Sequence, residues 1–246
     1  MKIYIPTLGR AGRVRLPQGI PLDRVLLVVQ PQEYDTYVPY VNDLRFRTNQ
    51  NLRLLRLPGP YHIGATRKWI IDFAGEDHWQ MDDDVTMRFP AEYDTTLSVI
   101  VQEAENALKN CAMVGFGRQY MANIAMAKGR WHVGAQVWHM LGINYQRMKD
   151  VPVERFSLYE DTVMNIHALM NGGTLVDYAA LLGNGSYAKT SGAGGCSTYR
   201  TQAEIERNMD KIVELYPQFC KILPSKSLTQ GLPVGRTVRT SWSKIR

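Results

Sequence analysis

His78-Trp79-Gln80-Met81-Asp82-Asp83-Asp84-Val85 is the stretch that decides how the rest of this 246-residue chain is interpreted. Trp79 and Met81 indicate a short buried strand, and three carboxylates follow at its carboxyl end. Adjacent negative charges repel one another and resist desolvation unless a cation neutralises them. Mg²⁺ and Mn²⁺ prefer such oxygen ligands, and α/β sheets bind ligands at strand ends. The stretch therefore predicts a metal site, against the alternative of an acidic turn exposed to solvent.

The segments before this stretch predict the fold class. Two are apolar and rich in β-branched residues, one alternates Leu with Arg, and one has helical periodicity. They are the predicted strands Lys2–Pro6, Arg24–Gln30 and Leu52–Leu57 and the predicted helix Gly64–Ala74. The resulting βαβαβ order predicts an α/β fold, with a mixed, mostly parallel sheet flanked by helices in one compact domain.

The segments after the stretch continue the same alternation. Apolar residues from Leu97 to Leu108 fall on one helical face, and residues 112–117, 134–143 and 174–182 have the composition of strands. Ser157 and Glu160 have capping-box spacing and predict a helix that runs to about Met170; Thr201 and Glu204 predict a second capped helix. Residues 217–246 show little periodicity, which is typical of a mobile or wrapping basic tail.

Composition limits the class of protein. The chain is 45% hydrophobic, as in an ordinary soluble globule, and has no run of 18 apolar residues, so no membrane partner is expected. Met1–Pro6 predicts a strand and not a signal peptide. Cys111, Cys196 and Cys220 lack paired metal-ligand spacing, and free thiols favour a reducing, cytoplasmic location.

The net charge of +6 is unevenly distributed. Residues 1–68 hold 11 Lys/Arg and 4 Asp/Glu, residues 69–216 hold 12 and 19, and residues 217–246 hold 6 and none. Basic ends around an acidic middle suit a protein that binds phosphates with a metal between them. Solubility alone also produces uneven surface charge.

Two basic motifs are candidate phosphate sites. Pro6-Thr7-Leu8-Gly9-Arg10-Ala11-Gly12-Arg13 follows the first strand, and its glycines allow the backbone to turn closely around a ligand. It lacks the Gly-Lys-Ser/Thr ending of a Walker A loop, and a plain surface turn is the alternative. Arg67 and Lys68 lie near the start of a helix, where anions are favoured, although solvated charge explains them equally.

Two later motifs are candidates for catalysis and closure. Asp161 has no capping role and can act as a general base at a helix start, whereas Glu160 belongs to the capping box. Complementing the helix dipole is the competing role for both. The glycine-rich loop 190–197 can close over a substrate or simply connect two elements. We leave His132 and His139 out of catalysis, because a His beside Trp in a strand is usually a core residue.

Taken together, these motifs resemble those of GT-A glycosyltransferases. That family has a nucleotide-contacting loop after its first strand (here Ile5–Arg10), a basic helix (Gly64–Trp69) before an Asp-x-Asp strand end (Asp82–Asp84), and a later acidic pair (Tyr159-Glu160-Asp161). More narrowly, the combination is similar to the phage glycosyltransferases associated with TET/JBP-type dioxygenases, which modify hydroxymethylated pyrimidines in DNA. The match covers roughly residues 1–185.

The resemblance implies a complete reaction. A nucleotide sugar, with uridine as the expected nucleoside, binds through Mn²⁺ or Mg²⁺, and Asp161, with Glu160 beside it, deprotonates the acceptor hydroxyl in an inverting transfer. Asp84 is the main metal ligand, and Asp82 is shared between metal and ribose. No His follows His167, which leaves a third protein ligand unassigned. The implied donor-binding residues are Pro6, Thr7, Gly9, Arg10, Arg13, Arg67, Lys68, Asp82, Asp83, Gly194 and Gly195.

The resemblance also implies a division of the chain and an acceptor. Residues 1–90 form the donor half and 91–216 the acceptor half of one domain, followed by the tail. The acceptor is a hydroxymethylated pyrimidine in phage DNA, flipped out of the duplex and held by basic segments inside the host cytoplasm. A nucleotidyltransferase and a catalytically silent module that binds nucleic acid remain as alternatives.

Overall fold

A computed structural model describes residues 1–88, 96–118, 129–184, 200–227, 229 and 232–245. Its main feature is a nine-stranded sheet in the order β3-β2-β1-β4-β8-β6-β9-β5, with β7 paired to β9. The strands are β1 Ile3–Thr7, β2 Val25–Val29, β3 Arg53–Arg56, β4 His78–Met81, β5 Val85–Arg88, β6 Met113–Arg118, β7 Trp131–Val133, β8 Met140–Ile143 and β9 Thr174–Asn184.

The predicted sheet is confirmed as mixed, with most strands in one direction. Strands β3, β2, β1 and β4 pair in parallel, and β6 pairs in parallel with β9. Strand β8 runs antiparallel between β4 and β6, and β5 and β7 run antiparallel to β9. All residues of β1, β2 and β4 are buried, as expected where helices cover both faces of a sheet. Strand β4 therefore delivers Asp82 to the carboxyl edge shared with β1 and β2.

Within the described ranges, six α-helices connect or flank these strands. The amphipathic face predicted between Leu97 and Leu108 is confirmed as a helix buried against the sheet. The Thr201 side chain accepts a hydrogen bond from the amide of Glu204, which confirms the second predicted cap. The helices are α1 Tyr34–Thr48, α2 Ile63–Ala74, α3 Leu97–Leu108, α4 Tyr145–Met148, α5 Glu160–Met170 and α6 Gln202–Leu215.

The capping box predicted at Ser157 is wrong. Helix α5 begins at Glu160 after Tyr159, whose backbone is left-handed (φ 64°) and whose side chain makes no capping hydrogen bond. The Ser157 hydroxyl instead donates to Glu204 on helix α6 and accepts a hydrogen bond from Asn208 at 2.9 Å. Because Glu160 is released from capping, its carboxylate is available to the site below.

Of the two alternatives for the tail, mobile or wrapping, the structure supports the second, because the described residues after 217 pack onto the domain. Strands β10 (Cys220–Pro224) and β11 (Arg236–Thr240) form an antiparallel hairpin, and Cys220 and Ile245 are buried. Ile222 and Val238 pack with Leu158 and Tyr159, just before helix α5. Truncation before β11 would therefore remove part of the fold. Among the described residues, no helix is both long and apolar enough to cross a membrane.

Helix α2 is held close to the segment that precedes α5. A Cβ atom at Gly64 would overlap the carbonyl oxygens of Val153 and Phe156. Only glycine allows this approach of two backbones. The contact fixes the first turn of α2 against residues 153–156, and Arg67 follows on the next turn.

Candidate active site

One buried cation joins the two acidic motifs of the sequence. Arg67 is 1% exposed, and its Nη2 donates to Asp82 Oδ1 at 2.7 Å. The same Nη2 lies 3.6 Å from Asp161 Oδ1, and Nε lies 3.8 Å from Glu160 Oε1. Burial alone would lower the pKa of Arg67, but the three carboxylates outweigh it and raise that pKa. The guanidinium is therefore a permanent positive charge between the end of β4 and the start of α5.

Asp82 is held by two partners. One oxygen accepts from Arg67, and the other lies 3.0 Å from Nδ1 of His139. Burial on its own would raise the pKa of Asp82, but Arg67 and His139 together lower it to about 2. The carboxylate is therefore ionised at neutral pH.

Asp83 ties the first loop to the acidic strand end. The Thr7 hydroxyl donates to Asp83 Oδ2 at 2.6 Å, and the Arg10 guanidinium forms an ion pair with the same carboxylate. The loop is fixed further by Glu33, whose carboxylate accepts from the amide of Gly9 at 2.9 Å. Burial, opposed by Thr7 and Arg10, raises the pKa of Asp83 to about 6. Pro6, the residue before Thr7, lies in β1 and sets this loop at the carboxyl edge.

Asp84 is the most accessible of the three carboxylates. Its side chain is 30% exposed, and Oδ2 lies 3.1 Å from Arg10 Nη1. In the described part of the chain, no three His, Cys, Asp or Glu side chains group closely enough to hold a metal ion. Mg²⁺ and Mn²⁺ at phosphate sites commonly take one or two carboxylates, with substrate phosphates as further ligands. Asp84, with Asp82 beside it, would serve in a site of that kind if substrate phosphates supplied the further ligands.

The acidic pair at the start of α5 has an unusual electrostatic environment. Burial, followed by the neighbouring Asp161 carboxylate, raises the pKa of Glu160 to about 8. Burial likewise raises the pKa of Asp161, although Arg67 opposes it. Asp161 Oδ1 is buried and has no hydrogen-bond partner among the described residues. A carboxylate with a raised pKa and an unpartnered oxygen suits a general base.

Several predicted site residues lie outside the group formed by Arg67, Asp82, His139, Glu160 and Asp161, which we call the Arg67 cluster. Lys68 binds Asp72 on its own helix, with Nζ 2.5 Å from Oδ1. Arg13 is exposed and donates to the carbonyl of Gly9 at 2.7 Å. Gly194 and Gly195 lie outside the described residues.

His139 is the site residue that sequence reasoning missed. Met140 is the register partner of Met81 across β8 and β4, so His139 lies opposite Asp82, and its carbonyl accepts from the Asp82 amide at 2.7 Å. This juxtaposition depends on an antiparallel pairing between segments 57 residues apart. Nothing in the local sequence signals it.

An open cavity of about 370 Å³ adjoins the first loop at the carboxyl ends of β1 and β2. The Gln30 side-chain amide donates to the carbonyl of Tyr61 at 2.7 Å and accepts from its amide at 2.9 Å, which fixes one wall. The cavity is lined by Leu8, Gln30, Gln32, Pro60, Tyr61, His62, Ser157 and Glu204. Its position beside Thr7 makes it a candidate pocket for part of a ligand bound at Asp83 and Asp84.

The raised pKa of Glu160 predicts how stability depends on pH. An unfolded glutamate ionises near pH 4.5, whereas native Glu160 keeps its proton until about pH 8. The native state binds more protons in this interval, so the free energy of unfolding falls as pH rises from about 4.5 to 8. Glu160→Gln removes this contribution. The free energy of unfolding, measured with urea, should therefore fall less steeply between pH 5 and pH 8 in this variant than in the wild type.

A matched control is Glu154→Gln, since Glu154 is exposed on the surface. This variant should keep the wild-type dependence on pH. Equal slopes for Glu160→Gln and the wild type would show that Glu160 ionises normally in the native state.

Comparison with known proteins establishes the fold. No protein-family model matches the sequence, and no curated protein matches it. The crystal structure of S. aureus TarS 1-349 matches 87% of this chain at 14% identity with a TM-score of 0.52. The mannosyltransferase PcManGT from Pyrobaculum calidifontis, in complex with GDP-Man and Mn²⁺, matches 88% at 13% identity, also with a TM-score of 0.52.

This chain spans 66% of the TarS chain and 63% of the PcManGT chain. At such low identities the likeness concerns the fold alone. The chain is a single domain with the GT-A-like fold of nucleotide-sugar transferases, as its motifs predicted.

Proposed function

We propose that this chain transfers a sugar from a nucleoside diphosphate sugar, with uridine as the expected nucleoside, to a hydroxyl group of an acceptor. The observation that carries the proposal is the Arg67 cluster. One buried guanidinium binds Asp82 at a strand end suited to a diphosphate and lies within 4 Å of Asp161 and Glu160. Groups suited to donor binding and to base catalysis thus meet in one place.

The donor would lie along the carboxyl edge of the sheet. The cavity beside Leu8 and Tyr61 would receive the nucleoside, and Arg10 would face the diphosphate. Asp84, with Asp82 beside it, would hold Mn²⁺ or Mg²⁺. When bound, that ion would act as a Lewis acid that stabilises the departing diphosphate. PcManGT, which has this fold, is a mannosyltransferase that binds GDP-Man together with Mn²⁺.

Asp161 would take the acceptor proton. As the acceptor oxygen bonds to the anomeric carbon, the bond from that carbon to the diphosphate breaks, and the hydroxyl proton moves to Asp161. Arg67 would stabilise the ionised base at the distance observed. Glu160, which holds its proton to about pH 8, would act as a neutral hydrogen-bond donor beside it. Direct attack from the opposite face gives the proposed inversion.

A metal site completed by the substrate predicts coupled binding. Isothermal titration should show Mn²⁺ binding at least about 10-fold tighter with UDP present than without it, because the diphosphate supplies ligands. Asp84→Asn should abolish this coupling and leave the thermal unfolding midpoint near that of the wild type, since Asp84 is partly exposed. Asp43→Asn, at a surface ion pair with Arg47, should keep the coupling. Equal Mn²⁺ affinity with and without UDP in the wild type would contradict a shared site.

For the acceptor we propose a hydroxymethylated pyrimidine in DNA. The support is the position and charge of the β10–β11 hairpin, which packs against the residues before α5. Lys221 and Arg239 are exposed cross-strand partners, and neither forms an ion pair with residues that the structure describes. Duplex phosphates beside this hairpin would leave a flipped base within reach of Asp161.

This placement predicts a change in salt dependence. Lys221→Gln with Arg239→Gln should reduce the slope of log affinity against log salt for duplex DNA by about 2, because each phosphate contact contributes about 0.9. The charge-matched control is Lys109→Gln with Lys149→Gln. Both lysines are exposed at the His78 end of β4, away from Asp82. Equal slopes for the two double variants would remove the hairpin from DNA binding.

A further inference from the structure

The backbone at His139 is strained where it meets the site. The Met140 amide donates to the Trp138 carbonyl at 2.6 Å, and φ of His139 is 63°. A hydrogen bond between residues i and i+2 around a positive φ is the classic γ-turn, which is rare and strained. Strain of this kind persists only where the surroundings impose it, and it concentrates at functional sites.

Two hydrogen bonds lock this residue to Asp82. The His139 carbonyl accepts from the Asp82 amide at 2.7 Å, and Nδ1 lies 3.0 Å from Asp82 Oδ2. Because the carboxylate is already paired with Arg67, it accepts, and Nδ1 carries the hydrogen that it donates. Nε2 is then the ring nitrogen that remains for a further contact.

That nitrogen lacks a hydrogen-bond partner among the described residues. Nε2 of His139 is buried and has no hydrogen-bond partner among the described residues, and the same holds for Asp161 Oδ1. Both atoms belong to side chains of the Arg67 cluster. Two buried, unpartnered polar atoms in one cluster are complemented by a ligand with hydroxyl groups, which both donate and accept hydrogen bonds.

We propose that Nε2 of His139 forms a hydrogen bond with a substrate hydroxyl and thereby makes the site selective for substrates that carry it. The inference rests on the proposed glycosyl transfer, and the hydroxyl belongs either to the transferred sugar or to the acceptor. Loss of such a buried bond lowers kcat/KM by about 10- to 100-fold. His139 would then be a specificity-determining residue of the site.

Two substitutions distinguish recognition of a substrate hydroxyl by His139 from its hydrogen bond to the Asp82 carboxylate. His139→Asn places an amide N–H near the position of Nδ1, so it retains the bond to Asp82 but lacks Nε2, and Asn tolerates a positive φ. His139→Gln places an amide near Nε2 and loses the bond to Asp82. His132→Asn is the control, because the His132 ring contacts Gly129 and Tyr178 outside the cluster.

The experiment compares UDP-glucose and GDP-mannose with their monodeoxy-sugar analogues, by release of nucleoside diphosphate. Wild type and His132→Asn should reject one analogue by about 10- to 100-fold. His139→Asn should lose that discrimination, keep the wild-type affinity for UDP–Mn²⁺ and unfold at the wild-type temperature. His139→Gln should retain part of the discrimination. If the hydroxyl belongs to the acceptor, His139→Asn keeps donor discrimination but loses 10- to 100-fold in kcat/KM for a hydroxymethylcytosine duplex.

Unchanged kinetics of His139→Asn in both arms would overturn the inference. So would loss of UDP–Mn²⁺ binding with discrimination intact, because His139 would then only support Asp82 or bind the metal. Failure of the wild type to release nucleoside diphosphate from either donor would instead refute the proposed function, and this inference with it. The wild-type result precedes the variants, so the two failures are distinguishable.

Discussion

The burial of Arg67 is the constraint on which the site depends. A guanidinium that is 1% exposed is tolerated because it is paired with the ionised Asp82 and lies within 4 Å of Asp161 and Glu160. Removing one partner of a buried ion pair typically costs about 3–5 kcal/mol, since the other charge is left unpaired. The end of β4 and the start of α5 are therefore linked electrostatically, and Gly64 permits the close backbone approach that brings them together.

The three consecutive aspartates differ in their surroundings. Asp82 faces Arg67 and His139, Asp83 faces Thr7 and Arg10, and Asp84 retains the greatest exposure. The environment of each carboxylate differs accordingly, with the pKa near 2 for Asp82 and near 6 for Asp83. Two fixed carboxylates thus build the wall of the site, and the third is left accessible to a ligand.

Sequence reasoning found the elements whose signals are local. The apolar strand before Asp82, the helix carrying Arg67 and the Thr201 cap are set by neighbouring residues, so their prediction succeeded. Ser157 failed because Glu204 and Asn208, distant in sequence, compete for its hydroxyl. The juxtaposition of His139 and Asp82 follows from antiparallel register, which the sequence does not encode locally. The separation of Lys68 from Arg67 likewise depends on which face of α2 is buried.

The most direct test of the central claim follows the fate of the donor by ³¹P NMR. Wild-type protein with UDP-glucose or GDP-mannose and Mn²⁺ should release nucleoside diphosphate. Asp161→Asn should still bind the donor but transfer its sugar to an acceptor at least about 100-fold more slowly, because the group lost acts on the acceptor proton. Formation of nucleoside triphosphate and sugar 1-phosphate on addition of pyrophosphate, without release of diphosphate, would contradict the account and identify a nucleotidyltransferase.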